Sequence, residues 1–161
     1  MADNKHTRKI ETTEIPPESV IEYFDTFEFR RLPRKSKKTS AEADATTWRI
    51  VLISLITRQD PLALEIFDDI VIGRKMNRQD VDLDLSIYNA LELGVSRIHA
   101  RLHPTAEALL LYDMNSTNGT YCNALKATAD EPIKLKDNDI IAFGALKFLL
   151  KVVRQPQRPT G

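Results

Sequence analysis

Four short stretches carry side chains suited to holding an anion. Gly73-Arg74 closes an apolar run, and Ser96-Arg97-Ile98-His99 opens another. Residues 116–120 read Ser-Thr-Asn-Gly-Thr, and Asn123 follows shortly after. A guanidinium presents a planar fork of donors that matches phosphate oxygens. Serine and threonine hydroxyls add compact donors, and an asparagine amide both donates and accepts, so it can clamp a peptide main chain. All of these residues fall at strand ends or in turns, where a rigid scaffold displays its binding groups. Asn118-Gly119 alone would suffice for a hairpin turn. The surplus hydroxyls of Ser116, Thr117 and Thr120 and the second amide, Asn123, either tie the loop to itself or hold something polar from outside.

The same residues do not assemble a catalyst. Ser96, His99 and Asp113 have the residue types of a nucleophilic triad. On a continuous strand, however, positions i and i+3 face opposite ways, so Ser96 and His99 are not expected to bond. No Gly-x-Ser-x-Gly elbow occurs, nor any Walker or dinucleotide glycine loop. His6, His99 and His103 lack zinc-ligand spacing. The single cysteine, Cys122, excludes an intrachain disulfide and two-cysteine metal motifs. No catalytic residue, metal or cofactor is expected. Each candidate also has a plainer reading: a surface ion pair for Arg74, a turn cap for Ser96, a solvated strand edge for Arg97 and a small strand residue for Cys122. Lys75 and Arg78 either widen a positive rim or are solvated.

These residues need a scaffold, and from Trp48 onward the chain supplies one. Short apolar runs at 48–56, 68–73, 81–87, 97–103, 108–113, 139–143 and 146–153 are separated by Gly73, Gly94, Pro104, Asn118-Gly119, 137–139 and Gly144. Several alternate with period two; Val81, Leu83 and Leu85 share one face, and Asp82 and Asp84 the other. Residues 61–67, Pro-Leu-Ala-Leu-Glu-Ile-Phe, admit a helical reading. Many close-spaced strands with little helical period imply an all-β, antiparallel sandwich over residues 47–154.

Residues 1–46 differ. They are rich in Lys, Arg, Glu, Thr and Pro, and the basic run 30–38 reads Arg-Arg-Leu-Pro-Arg-Lys-Ser-Lys-Lys. Such composition points to a disordered tail, with one apolar island at 20–29 that suits a short amphipathic helix or a docking strip. The basic run reads as a solvated linker, as a lure for nucleic acid or acidic membrane, or as a kinase-recognition sequence around Ser36, Thr39 or Ser40. Residues 155–161 read as a disordered end. Over 161 residues, 23 basic and 23 acidic side chains balance to zero formal charge. There is no global pull toward nucleic acid. The start has no apolar segment of a signal peptide, and no run approaches the ~20 apolar residues of a membrane span. A cytoplasmic, membrane-free protein is expected.

In order, "GR", "SRIH", "STNGTYCN" and "LKDNDIIAFG" resemble the pattern of forkhead-associated (FHA) domains over about residues 48 to 154. The resemblance implies an FHA-type antiparallel β-sandwich of about eleven strands. Loops at one end would bind phosphothreonine peptides, in an adaptor rather than an enzyme. It implies phosphate contacts from Arg74 and Ser96, with Arg97 at a second phosphate-contact position. Thr117 would stand beside the phosphothreonine, and Asn118 would bond to the peptide main chain. Gly73, His99, Gly119 and Asn123 would be structural, with His99 and Asn123 pinning the binding loops from beneath. The chain departs from the pattern at Asn138, usually glycine, where asparagine tolerates the left-handed turn. It also has Gly94 where family members often carry a selectivity side chain.

The implied partners are a phosphothreonine-containing protein and the Ser/Thr kinase that makes it. A phospho-independent assembly module and a tail-mediated nucleic-acid adaptor are the alternative readings. The tail adds Thr12 and Thr13 in an acidic Glu-Thr-Thr-Glu setting. This resembles bacterial single-FHA regulators in which a phosphorylated threonine near the N-terminus folds back onto the protein's own site. A tether of more than thirty residues is long enough for that.

Overall fold

In a computed structural model, which describes residues 22–76 and 81–157, the run at 48–56 forms the central strand β2 (Trp48–Ser54). Trp48, Ile50 and Leu52 face the main core. Val51, on the opposite face, is also buried. This strand is covered on both sides, which is why its sequence is nearly continuous in apolar residues instead of alternating.

The inner cover comes from a second sheet. One sheet has seven strands in the order β1 (Arg30–Leu32), β3 (Leu62–Ile66), β2, β12 (Leu146–Arg154), β11 (Ile140–Phe143), β8 (Thr120–Cys122) and β9 (Leu125–Lys126). The other has five: β10 (Ile133–Lys134), β7 (Leu109–Asp113), β6 (Ala100–Pro104), β4 (Ile70–Gly73) and β5 (Leu83–Asp84). The described residues thus form a twelve-stranded β-sandwich. In β6 and β7 buried and part-exposed residues alternate strictly, as a strand with one face on the core requires. Trp48 ties the sheets together, its Nε1 donating to the Thr105 carbonyl at 2.8 Å. Most strand pairs are antiparallel, but at one edge of each sheet the pairing is parallel: β1 on β3 and β5 on β4.

The outer cover of β2 corrects the expected tail. Residues 22–46 are not a disordered extension of the sandwich. Residues 22–25 form a helical turn, and Phe24 packs with Val51 and Val153, flanked by Phe27 and Phe29. The rings of Tyr23, Phe24 and Phe27 meet edge to face at 5.3 to 5.5 Å between centroids. Three phenylalanines on an otherwise bare sheet face supply the apolar burial that the composition of the whole segment concealed.

The basic run is folded too. Leu32 is buried in the core as part of β1. Arg31 bonds to Glu65 and lies over the Phe67 ring. Ser36 Oγ donates to Asp68 at 2.6 Å, and Lys38 Nζ donates to Thr46 Oγ1 and the Phe67 carbonyl, each at 2.9 Å. A short helix α1 (Ser40–Asp44) follows, closed by a reciprocal capping box between Thr39 and Glu42. The solvated-linker reading of 30–38 is therefore replaced. Residues 155–157 follow β12 without regular structure. Thr12, Thr13, Arg78 and residues 158–161 lie outside the described residues.

Residues 61–67 are strand, not helix. Leu, Ala and Glu favour helices locally, but Leu62, Leu64 and Ile66 alternate, and β3 pairs with β2 and β1 on either side. Of the expected strand 81–87 only Leu83–Asp84 pairs; a 3-10 turn at Ser86–Tyr88 follows and buries Tyr88. Among the described residues no helix is long and apolar enough to cross a membrane.

Candidate functional site

Strand β4 ends at Gly73, where a Cβ would stand 2.0 Å from the Arg97 carbonyl oxygen. Only glycine lets the 95–98 segment lie this close. The Arg74 N–H then reaches both the Ser96 and Arg97 carbonyls at 3.1 Å. The Arg74 side chain is anchored as well, its Nε donating to the Val95 carbonyl at 2.8 Å. With Nε so engaged, the remaining guanidinium donors are those of the two Nη nitrogens.

Residues 114–119 are not the hairpin turn that Asn118-Gly119 suggested. They lead from β7 in the five-stranded sheet to β8 in the seven-stranded one, so the loop crosses the end of the sandwich. A crossing loop has no ladder to brace it, and side chains do that work. The Asp113 carboxylate accepts from the Ser116 N–H at 3.2 Å, from Ser116 Oγ, and from the buried Thr120 Oγ1 at 2.7 Å. Ser116 Oγ in turn accepts from the Gly119 N–H at 3.0 Å. Gly119 has φ +89°, a conformation natural to glycine.

Two bonds stitch this loop to the 94–97 segment. The Thr117 N–H donates to Ser96 Oγ at 3.0 Å, and Asn118 Nδ2 donates to the Gly94 carbonyl at 3.0 Å. As an acceptor there, the Ser96 hydroxyl keeps its own proton to donate. The side chains of Arg97, Thr117 and Asn118 are exposed.

His99 lies beneath, fully buried. Its Nδ1 faces the Ser96 N–H at 3.0 Å, so Nδ1 is the acceptor and Nε2 carries the proton, donated to the Gly119 carbonyl at 2.9 Å. Burial pushes its pKa below the ordinary value, against the raising effects of the Gly119 carbonyl and the Asp113 charge. The ring stands edge-on to Phe143, 5.6 Å between centroids. One neutral imidazole thus joins the base of the 96–98 turn to the base of the 114–119 loop. The expectation that Ser96 and His99 would not bond rested on a continuous strand. The segment is instead a turn ahead of β6, and the bond runs through the Ser96 backbone; the Ser96 hydroxyl points its acceptor side to Thr117.

The five residues proposed from sequence as ligand contacts, Arg74, Ser96, Arg97, Thr117 and Asn118, therefore belong to three segments joined at one end of the sandwich. The FHA domain family model matches residues 70–144, which hold all of them. The chain carries an FHA domain. Among curated proteins it is similar to Protein FraH of Nostoc sp., 33% identical over 84 residues, covering 50% of this chain and 29% of FraH. The chain thus spans less than a third of that relative's length. Among solved structures it is similar to an FHA domain studied for phosphothreonine-dependent interactions, at 26% identity and TM-score 0.51, covering 70% of this chain and 99% of that one. The FHA domain of FhaA, solved with the intracellular domain of a second protein, is 27% identical with TM-score 0.50, covering 63% of this chain and 99% of that one.

Asn123 is not beneath the 94–97 and 114–119 loops of this FHA domain. It sits at the other end of β8, where its Nδ2 donates to Asp139 Oδ1 and its Oδ1 accepts from the Ile140 N–H, both at 2.8 Å. Strand β8 runs from the loop end to this far end, so Asn123 braces the opposite turn. Asn138 there adopts φ +73°, the left-handed turn expected of it.

Two supports of the FHA loops were missed from sequence. Asp113 was weighed only as a triad member, although Asp followed three residues later by Ser is a recognisable side-chain-braced turn. Gly144, read only as turn punctuation, bonds through its N–H to the Gly119 carbonyl at 2.9 Å. A Cβ on Gly144 would meet the Leu93 carbonyl oxygen at 2.7 Å. Its signal in the sequence is the glycine that closes the "LKDNDIIAFG" stretch.

Proposed function

We propose that this FHA domain is a reader of phosphothreonine in peptides, acting as an adaptor downstream of a Ser/Thr kinase. The observation that carries the reading is the cross-locking of three loops by Arg74 Nε on Val95, Thr117 N–H on Ser96 Oγ and Asn118 on Gly94. This preorganises one cation, several hydroxyls and an exposed amide at one edge of a rigid sandwich. Arg74 Nη groups and the Ser96 hydroxyl contact the phosphate, with Arg97 supplying a second charge. Thr117 lies against the phosphothreonine, and Asn118 bonds to the peptide main chain. A phosphate carries roughly −1.5 to −2 charge at neutral pH, so most of the affinity depends on phosphorylation.

The test is fluorescence anisotropy with phosphothreonine peptides pooled by the third residue after the phosphothreonine, and with their unphosphorylated counterparts. Phospho-dependent binding that Arg74→Ala abolishes is the expected result. Equal binding of both peptide forms would instead favour a phospho-independent assembly module.

A further inference from the structure

The basic run 30–38 divides its charges. Arg31 and Lys38 are spent on Glu65 and Asp68 and hold the run against the sandwich. Arg30, Arg34 and Lys35 instead line a groove of about 610 Å³, together with Lys75, Asp82 and Asp84. Among the described residues, none of these four cations has a carboxylate oxygen within 4.0 Å.

The two carboxylates in the groove are already committed to the backbone. Asp82 Oδ2 accepts from the Val71 N–H at 2.8 Å. Asp84 Oδ1 accepts from the Lys75 N–H at 2.9 Å, the Ser86 N–H at 3.1 Å and the Ser86 hydroxyl at 2.5 Å. Burial opposes the charge on Asp84, but the Ser86 and Lys75 hydrogen bonds outweigh it and hold the carboxyl below its usual range. Four cations therefore line the groove with two carboxylates, each of which has one oxygen engaged by the fold.

The groove lies where the two sheets meet, between β1 at the edge of one and β5 at the edge of the other. It also abuts the candidate phosphate site. Arg74 leans toward the 94–97 segment, on the β6 side of β4, whereas the Lys75 N–H bonds to Asp84, on the β5 side. Adjacent strands are spaced ~4.8 Å apart, so one extended peptide crossing residues 74–75 would pass from one cationic surface to the next.

We propose that this groove is a second anion subsite, taking aspartate or glutamate side chains that flank the phosphothreonine on the same peptide. Its place beside the phosphothreonine rests on the function proposed for Arg74. Its capacity to bind acidic side chains does not. A concave, cation-lined groove of this volume favours the side chains of a peptide over a flat lipid surface.

The experiment uses the full chain and three phosphothreonine peptides: alanine-flanked, acidic before the phosphothreonine, and acidic after it. Exposed charge pairs are individually weak, so four cations together are expected to favour one acidic peptide about five- to tenfold at low salt. In the double variant Arg34→Gln, Lys35→Gln that preference should disappear while the alanine-flanked peptide binds as before. Equal affinities in the wild type, or a preference that survives in the variant, would overturn the proposal.

An unphosphorylated Asp/Glu peptide, titrated by NMR, separates the two readings. Shifts at the amides of Lys35, Lys75 and Asp84 that the double variant loses would support the groove even if every phosphothreonine peptide failed. Their absence would sink it even if those peptides bound. Preferential shifts with single-stranded DNA or anionic vesicles at the same amides would also overturn it.

Discussion

Asn118-Gly119 and Asn123-Ala124 flank the same strand, β8, and invite the same reading as turns, yet they do different work. The first belongs to a loop that passes between sheets. Its shape is fixed by Asp113, Ser116 and His99, and Asn118 reaches across to Gly94. The second is a two-residue hairpin between the paired residues Cys122 and Leu125. Both of its residues have positive φ, 49° and 69°, as a type I′ turn demands. A crossing loop is held by side chains and can present its own amides outward. A hairpin is held by its ladder, and its polar side chain is free to brace a neighbour. The proposed contact residues therefore gather at the end where the chain passes from β7 to β8.

The comparison sharpens most through Arg74→Ala, at the crossing end. Loss of a bidentate, charge-assisted contact is expected to weaken phosphothreonine peptide binding about a hundredfold, roughly 3 kcal/mol, as read by anisotropy. Next come Asp113→Ala and Asn123→Ala, one at each end. Asp113→Ala orphans the buried Thr120 hydroxyl, and Asn123→Ala orphans the Ile140 N–H and strains a positive φ. Each is expected to cost about 2–3 kcal/mol in urea unfolding. Only Asp113→Ala should also weaken the peptide, because only it releases the crossing loop. Equal effects on affinity would break the contrast between the two ends.

The same contrast explains what the sequence made legible. The strands from Trp48 onward and the residues gathered at the crossing end were visible, because period-two burial and short polar motifs are local signals. The sheet partner of each strand was not. That is why Asn118-Gly119 passed for a hairpin and Asn123 was assigned to the wrong end. The folded segment 22–46 was hidden for a related reason: its averaged composition is polar, while Phe24, Leu32 and Arg31 act one at a time on distant partners. Residues 61–67 show propensity yielding to pairing, since Leu64 and Ile66 take their strand from neighbours on both sides.

His99 provides a pH test of the crossing end. Its folded pKa lies below the ordinary 6.5, chiefly through burial. Above 6.5 the neutral ring is present in both folded and unfolded chains, and its contribution to stability is complete. As pH falls below 6.5 the unfolded chain takes up a proton that the folded ring refuses, so stability declines until the lower folded pKa is reached. The slope is at most about 1.4 kcal/mol per pH unit. Urea unfolding from about pH 8 to about pH 5 should show this decline in the wild type and a flatter profile in His99→Gln. Parallel profiles would mean that the ring is not held neutral between the loops.

The smallest expected effect lies at the far end, and it improves the protein. Ala124 has φ +69° without the short polar side chain that makes this conformation tolerable to asparagine. The left-handed conformation costs an L-residue about 1–2 kcal/mol. Ala124→Gly removes that strain but gives the unfolded chain more freedom, a loss of about 0.4–1 kcal/mol. The balance is a gain of roughly 0.5–1 kcal/mol, visible as a higher urea midpoint with an unchanged slope. Peptide affinity should not move, because β8 separates this hairpin from the crossing loop. A variant less stable than the wild type would mean that the Cys122–Leu125 pairing, and not the backbone angle, decides the turn; a changed affinity would mean that the two ends of β8 are coupled after all.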